Sequence, residues 1–284
     1  MSVSLTVVGS INLDFVATAA SLPAPGETVT GATLARHPGG KGANQALAAR
    51  RLGAEVQLIG ATGRDGMADE ALGLLRRDGV DLWGVATRPG EPSGVALIAV
   101  AAGGENQIIV APGANAAVQP GDLPNTLEGA VVLQLELPIP TVAAAAERAT
   151  GFVAVNLAPA ARVPEALLAR ADLIVVNETE AAFYGEAVHA ARGLVAITLG
   201  AAGARLFGDG AQIASATPPP VSVVDTTGAG DCFVAALTVA LLEGQAPDQA
   251  LAFACAAGAL ATTRPGAQPA LPWRAEVDAA LGRR

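Results

Sequence analysis

A chain of 284 residues that is 51% hydrophobic can bury a full core without covalent staples, and a formal net charge of −9 argues against nucleic acid as its principal partner. Two cysteines, Cys232 and Cys255, are too few for a disulfide framework or a cysteine zinc site, which fits a reducing, cytoplasmic setting. The first basic residue is Arg36 and no apolar run approaches the ~20 residues of a membrane helix, so neither a signal peptide nor a membrane partner is expected.

In chain order, Leu5–Ile11 reads as a strand that ends at Gly9 and Ser10. Phe15–Pro38 reads as extended segments with turns. Gly42–Leu52 has the pattern of a helix, Val56–Gly60 of a strand and Asp65–Arg77 of a second helix. Gly94–Val100 and Asn106–Val110 are β-like runs joined by "AAGGE", which predicts a hairpin rather than a crossover. Val131–Glu136, Val153–Leu157, Leu173–Val176 and Leu194–Leu199 are short apolar strands separated by helical or loop segments. The C-terminal part turns helical over Ala229–Glu243, Pro247–Thr262 and Pro272–Leu281. Apolar strands alternating with helices predict an α/β fold, a three-layer sandwich around a mostly parallel sheet. The hairpin and the extended N-terminal stretch interrupt that alternation. They predict a small antiparallel lid built from insertions at about 12–38 and 92–112 of a single 1–284 domain. With 3% aromatic residues, the core must be packed from Ala, Val and Leu.

Three stretches carry chemistry. "DTTGAGD" (Asp225–Asp231) joins a strand end to a helix start. The first N–H groups of a helix lack internal partners and favour negative charge, and Gly228, Ala229 and Gly230 leave them open to an anion. Asp231 lies in that first turn, where the helix dipole favours its ionised form. An ordinary helix start would show the same glycines and the same aspartate. The stretch is not a Walker loop, because Lys41, the only lysine, is followed by glycine; nor is it a dinucleotide fingerprint, because Phe233 stands where glycine is needed.

"PGGKGANQALAARRLG" (Pro38–Gly53) places Lys41 and Asn44 at another helix entry, after Gly39 and Gly40. This chain uses arginine at its 16 other basic positions, so Lys41 marks a place where a compact ammonium is wanted. "GSINLDF" (Gly9–Phe15) puts Asn12 and Asp14 two apart, able to point to one side of an extended chain. Glu136 and Asn177 also fall at strand carboxyl ends, where doubly wound sheets bind ligands. Singly, each is more often a cap or turn residue.

Together "GSINLD", "GGKGAN", "NETE", "TLG", "DTTGAGD" and "GAQPALPW" resemble the ribokinase family of sugar kinases, and the resemblance covers nearly the whole chain. It implies a kinase transferring the γ-phosphate of ATP to the 5-hydroxyl of ribose, with Mg2+ and an activating K+. It implies that Asn12, Asp14, Gly40, Lys41, Asn44 and Glu136 hold the sugar, and that Asp231 takes the proton of the attacking hydroxyl. Gly228, Ala229 and Gly230 would form the anion hole. Asn177 and Glu180 would organise the magnesium and phosphate region. Thr198, Gly200 and Gly203 would line the nucleotide site, with Cys255 where His or Asn often flanks the adenine. Asp225, Thr227, Ala261, Arg264 and Gly266 would hold K+, with Ala270 where the family has a serine oxygen. The segment from Phe183 to Leu194 is short, which implies a trimmed outer helix. The resemblance further implies a homodimer through the lid. Two readings stand beside this one: a kinase of the same fold for deoxyribose, a nucleoside or another sugar, and a catalytically silent sugar-binding sensor.

Overall fold

The computed structural model describes residues 3–282. The chain opens with β1 (Ser4–Val8), then β2 (Asn12–Ala19), β3 (Thr33–Gly39) and α1 (Lys41–Arg51). Next come β4 (Glu55–Gly63), α2 (Gly66–Asp78), β5 (Asp81–Arg88), β6 (Gly94–Ala101) and β7 (Asn106–Ala111). The middle alternates as β8 (Ala130–Gln134), α3 (Ile139–Arg148), β9 (Val153–Asn156), α4 (Glu165–Arg170), β10 (Leu173–Asn177) and α5 (Glu178–Tyr184). A single turn, α6 (Glu186–His189), precedes β11 (Leu194–Thr198), β12 (Ala204–Gly208) and β13 (Ala211–Ala216). Four helices close the chain: α7 (Ala229–Leu242), α8 (Pro247–Ala261), α9 (Ala267–Ala270) and α10 (Arg274–Ala280).

The large sheet has the order β13-β12-β11-β10-β9-β8-β1-β4-β5. Every pair from β11 to β5 is parallel; β12 and β13 add an antiparallel edge hairpin. The strands alternate between two apolar layers, as a pleat of period two requires. Leu173 and Val175 join the layer formed by α1, α7 and α8, while Ile174 and Val176 join the layer formed by α3 and α4. Both faces are therefore covered, which is why these strands read as continuous apolar runs. Helix α7 is buried over most of its length and packs between α1 and α8.

Strand order reverses at β1, which has β4 on one side and β8 on the other. A crevice at the carboxyl ends of the strands is expected at such a switch point. The second sheet, of order β3-β2-β6-β7, stands at this end of the molecule. Its β2–β3 and β6–β7 pairs are antiparallel, while the central β2–β6 pair is parallel. It is continuous with the crevice because β2 begins at Asn12 and β3 ends at Gly39.

The strand expected to end just before Asp225 is absent: β13 stops at Ala216, and Pro218, Pro219 and Pro220, which have no N–H to give a ladder, lead an irregular segment to α7. Two other elements lie outside the sequence expectations. Strand β5 forms one edge of the large sheet, and the β12–β13 hairpin forms the other. That hairpin turns on Asp209 (φ 48°) and Gly210 (φ 74°), an Asp-Gly pair in the left-handed conformation that tight hairpins require.

Candidate active site

The site is assembled around the start of α1. Gly40 caps this helix at φ 89°, and a Cβ there would lie 2.7 Å from the Asn12 nitrogen, so only glycine lets the β1–β2 turn come this close. The Ala43 N–H donates to the Ser10 carbonyl at 2.9 Å, holding the two segments together. One carboxylate oxygen of Glu136 accepts from the Ser10 hydroxyl at 2.5 Å and from the Lys41 N–H at 3.1 Å. An acidic group is thereby seated on a helix N-terminus, where the dipole favours it.

Asn12 is buried, and its side-chain oxygen accepts from the Asn115 amide at 2.8 Å. Asn115 also bonds both the N–H and the carbonyl of Ile11, fixing the β1–β2 connection. Asp14 lies against Gly39, whose missing Cβ would fall 2.1 Å from the Asp14 Oδ2. Burial, together with the charges of Glu136 and Asp231, pushes the Asp14 carboxyl up to about 7, against the pull of Lys41. Burial works against the Lys41 ammonium, but Asp231, Glu136, Glu180 and Asp14 outweigh it and raise the Lys41 pKa. One ammonium thus sits among four carboxyl groups.

Asp231 joins the two halves of the site. It lies in the first turn of α7, whose N-cap Gly228 has φ 79°. Its Oδ2 accepts from the Asn44 amide at 2.8 Å and its Oδ1 from the Gln45 amide at 3.0 Å. Beside it opens a cavity of about 230 Å³ lined by Lys41, Asn156, Asn177, Glu180, Thr198, Thr226, Gly228, Gly230 and Asp231, among others. Asn177 and Glu180 cap α5 reciprocally: the Asn177 oxygen accepts from the Glu180 N–H, and the Glu180 carboxylate accepts from the Asn177 N–H, both at 2.8 Å. Burial raises the Glu180 pKa.

The remaining candidates fall into two places. Gly200 (φ 56°) and Gly203 (φ 94°) shape the turn between β11 and β12, just beyond Thr198. Cys255, on α8, is buried with its thiol directed at the Ala216 carbonyl and its pKa pushed up to about 11, so it packs at the end of β13 rather than lining the cavity.

Asp225 ties two loops together. It accepts from the N–H and hydroxyl of Thr227 and from the Gly266 N–H, while the Val224 and Asp225 N–H groups donate to the Thr262 carbonyl. The Asp225 pKa is lowered because these bonds outweigh its burial. Arg264 turns its guanidinium to Glu276 at 2.6 Å, the Thr262 and Thr263 hydroxyls donate to the Ala259 and Leu260 carbonyls, and Ala270 is a buried methyl with no side-chain oxygen. Among the described residues no group of three or more His, Cys, Asp or Glu side chains could hold a metal ion by itself. Magnesium does not require one, since it is commonly held by one or two carboxylates together with substrate phosphates.

Sequence reasoning missed Ser10, Gln45, Asn115, Gln134 and Asn156. The available signal was a lone amide inside an otherwise apolar strand, as in "VVLQL" and "VAVNL".

The model of the pfkB family carbohydrate kinases matches residues 3–274. A ribokinase from Haemophilus influenzae is 38% identical over 300 residues, covering 97% of each chain. The crystal structure of a ribokinase from Thermotoga maritima superposes with a TM-score of 0.89 at 32% identity, covering 99% of this chain and 100% of that one. The Arabidopsis thaliana ribokinase complexed with ribose and ATP superposes with a TM-score of 0.86 at 33% identity, covering the whole of both chains.

Proposed function

Since the chain belongs to the pfkB family of carbohydrate kinases, we propose that it transfers the γ-phosphoryl group of ATP to the 5-hydroxyl of ribose. The reaction class is phosphoryl transfer to an alcohol. The observation that carries the reading is the position of Asp231. This carboxylate stands at the helix start best suited to an anion, and it is bonded to Asn44 of the helix entry best suited to a sugar.

Sugar binding falls to Asn12, Asp14, Gly40, Lys41, Asn44 and Glu136, whose polar groups converge at the start of α1. Asp231 orients the acceptor hydroxyl and takes its proton as the new O–P bond forms. The main-chain N–H groups of Gly228 and Gly230 serve the charge that develops on the transferring group, while the Ala229 N–H, expected to join them, donates to the Thr226 carbonyl at 3.2 Å. On the nucleotide side, Asn177, Glu180 and Thr198 line the same cavity, and Gly200 and Gly203 shape the turn next to it.

Four carboxyl groups around one lysine leave this site with excess negative charge. A triphosphate docks there only with added positive charge, which Mg2+ supplies when bound. The Asp225 loop, with backbone oxygens from 261, 264 and 266, fits K+. Thr227 and Gly266 hold the Asp225 carboxylate in place for that role.

A homodimer through the small sheet fits its surface. Leu34, Leu97, Ile108, Ile109 and Val110 are all exposed there, and β3 and β7 leave strand edges open. Two free, buried cysteines fit a cytoplasmic setting, and no helix among the described residues is long and apolar enough to cross a membrane.

An enzyme-coupled assay for ADP release across ribose, deoxyribose, other pentoses and nucleosides tests the proposal. The highest kcat/KM is expected with ribose. A preference for a nucleoside, or no ADP release with any sugar, contradicts it.

A further inference from the structure

The Asp231 carboxylate is held by a chain of buried amides that extends well beyond the groups able to touch a sugar. Gln45 donates its Nε2 to Asp231 at 3.0 Å and to the Asn156 side-chain oxygen at 3.2 Å. Its own oxygen accepts from the Gln134 Nε2 at 2.6 Å. Asn156 is oriented in turn by donating to the Val175 carbonyl at 3.2 Å. Gln45 and Gln134 are wholly shielded from solvent, and Asn156 is buried.

The sense of each amide is fixed by its neighbour, since an amide can be turned only if its partners accept the turn. With Gln134 presenting N–H to the Gln45 oxygen, Gln45 must present N–H to Asp231. The Asp231 carboxylate and the Asn156 oxygen both take N–H from Gln45, and without Gln134 the Gln45 oxygen loses its donor and the side chain one of its three anchors.

Gln134 is a poor residue for stability alone. It interrupts the apolar strand β8, and its Oε1 is buried with no hydrogen-bond partner. That oxygen faces Gly9, where a Cβ would lie 2.0 Å from it. A buried acceptor left without a donor costs stability, and a hydrocarbon side chain of similar shape would avoid that cost. Retaining the amide makes sense through what its N–H group holds.

We propose that Gln134 and Gln45 are positioning residues that lock the plane of the Asp231 carboxylate. This inference rests on the reading of Asp231 as the group that receives the sugar proton. Asn44 on one oxygen and Gln45 on the other hold the carboxylate against rotation, which leaves its remaining lone pairs for the site. Replacing a glutamine by methionine removes the amide and leaves every charge in the site unchanged.

The test compares Gln134→Met and Gln45→Met with Asp231→Asn, measuring kcat, KM for ribose and ATP, and ribose affinity by calorimetry without ATP. For Gln134→Met, kcat is expected to fall about tenfold, as slight misplacement of a reacting group can cost up to about 10²-fold. Ribose affinity and both KM values should stay within about twofold. Gln45→Met should show the same pattern more strongly, and it serves as the test if Gln134→Met fails to fold. A normal kcat in both methionine variants overturns the proposal. So does an equal loss of kcat and ribose affinity, which would mark a packing role. If Asp231→Asn is inactive while both methionine variants behave as wild type, this inference alone fails. If Asp231→Asn retains full turnover, the underlying reading of Asp231 fails with it.

Discussion

The Asn44 amide donates to the Asp231 carboxylate at 2.8 Å across 187 positions of sequence, fastening α1 to α7. Both residues are buried, so neither can exchange this bond for water at no cost.

Asn44→Leu should lower stability by about 1–3 kcal/mol, the usual cost of leaving a buried acceptor without its donor. In a double-mutant cycle with Asp231→Asn, a coupling of about 0.5–3 kcal/mol is expected, as for residues in one hydrogen-bond network. Urea denaturation of the four proteins measures it. Strict additivity would mean that the bond contributes nothing to the fold.

Lys41 opens α1 and lines the cavity beside Asp231. Its N–H anchors Glu136, and its charge answers Asp231, Glu136, Glu180 and Asp14. Arginine keeps the charge but brings a larger planar group whose fixed fork does not match this cluster. Lys41→Arg should weaken ribose affinity about tenfold or more, read by calorimetry, with little change in net charge. Unchanged affinity would show that charge alone matters at this position.

Asp14 makes the empty protein sensitive to pH in an unusual direction. Its ordinary carboxyl value of 3.8 is raised to about 7 in the folded chain by burial and by Glu136 and Asp231. Between those values the folded state keeps a proton that the unfolded state has lost. Stability from this group therefore falls as pH rises through that window, and the loss is complete above 7. Urea midpoints of the ligand-free protein should show Asp14→Asn with a flatter decline from pH 5 to pH 8 than wild type. Parallel declines would contradict the assignment.

Ala270 is buried and carries no side-chain oxygen. Ala270→Ser restores one. Rate measurements against KCl at constant ionic strength should show half-activation at a several-fold lower concentration in the serine variant. An unchanged curve would place the cation elsewhere.

Much of the fold can be read from the residues, and the reasons are local. The parallel strands are short, apolar and separated by helices, because both faces of the sheet are covered. The hairpin at "AAGGE" is visible because its turn residues are. Strand β5 escapes because "DLWGVATR" carries only a weak alternation and sits on an edge. The β12–β13 hairpin escapes despite an Asp-Gly turn, because its partner strand β11 already reads as the end of the parallel pattern. The site divides similarly. Asp231, Lys41 and Asn44 stand in glycine-marked helix starts that announce themselves. Gln45, Gln134 and Asn156 carry no such mark, because an amide within an apolar run acquires its partners only when three separate elements meet. Asn177 and Glu180 show the converse case, since their spacing of three encodes a cap as readily as a ligand site, and their side chains do form the cap.

The central claim is that Asp231 receives the proton of the attacking sugar hydroxyl, and Asp231→Asn tests it most directly, because the amide fills the same space. Ribose affinity measured by calorimetry should stay close to wild type, while single-turnover phosphoryl transfer from ATP should slow by on the order of 10²–10⁴-fold, the usual contribution of a positioned base. Transfer at near wild-type speed in a variant that still binds ribose would contradict the account.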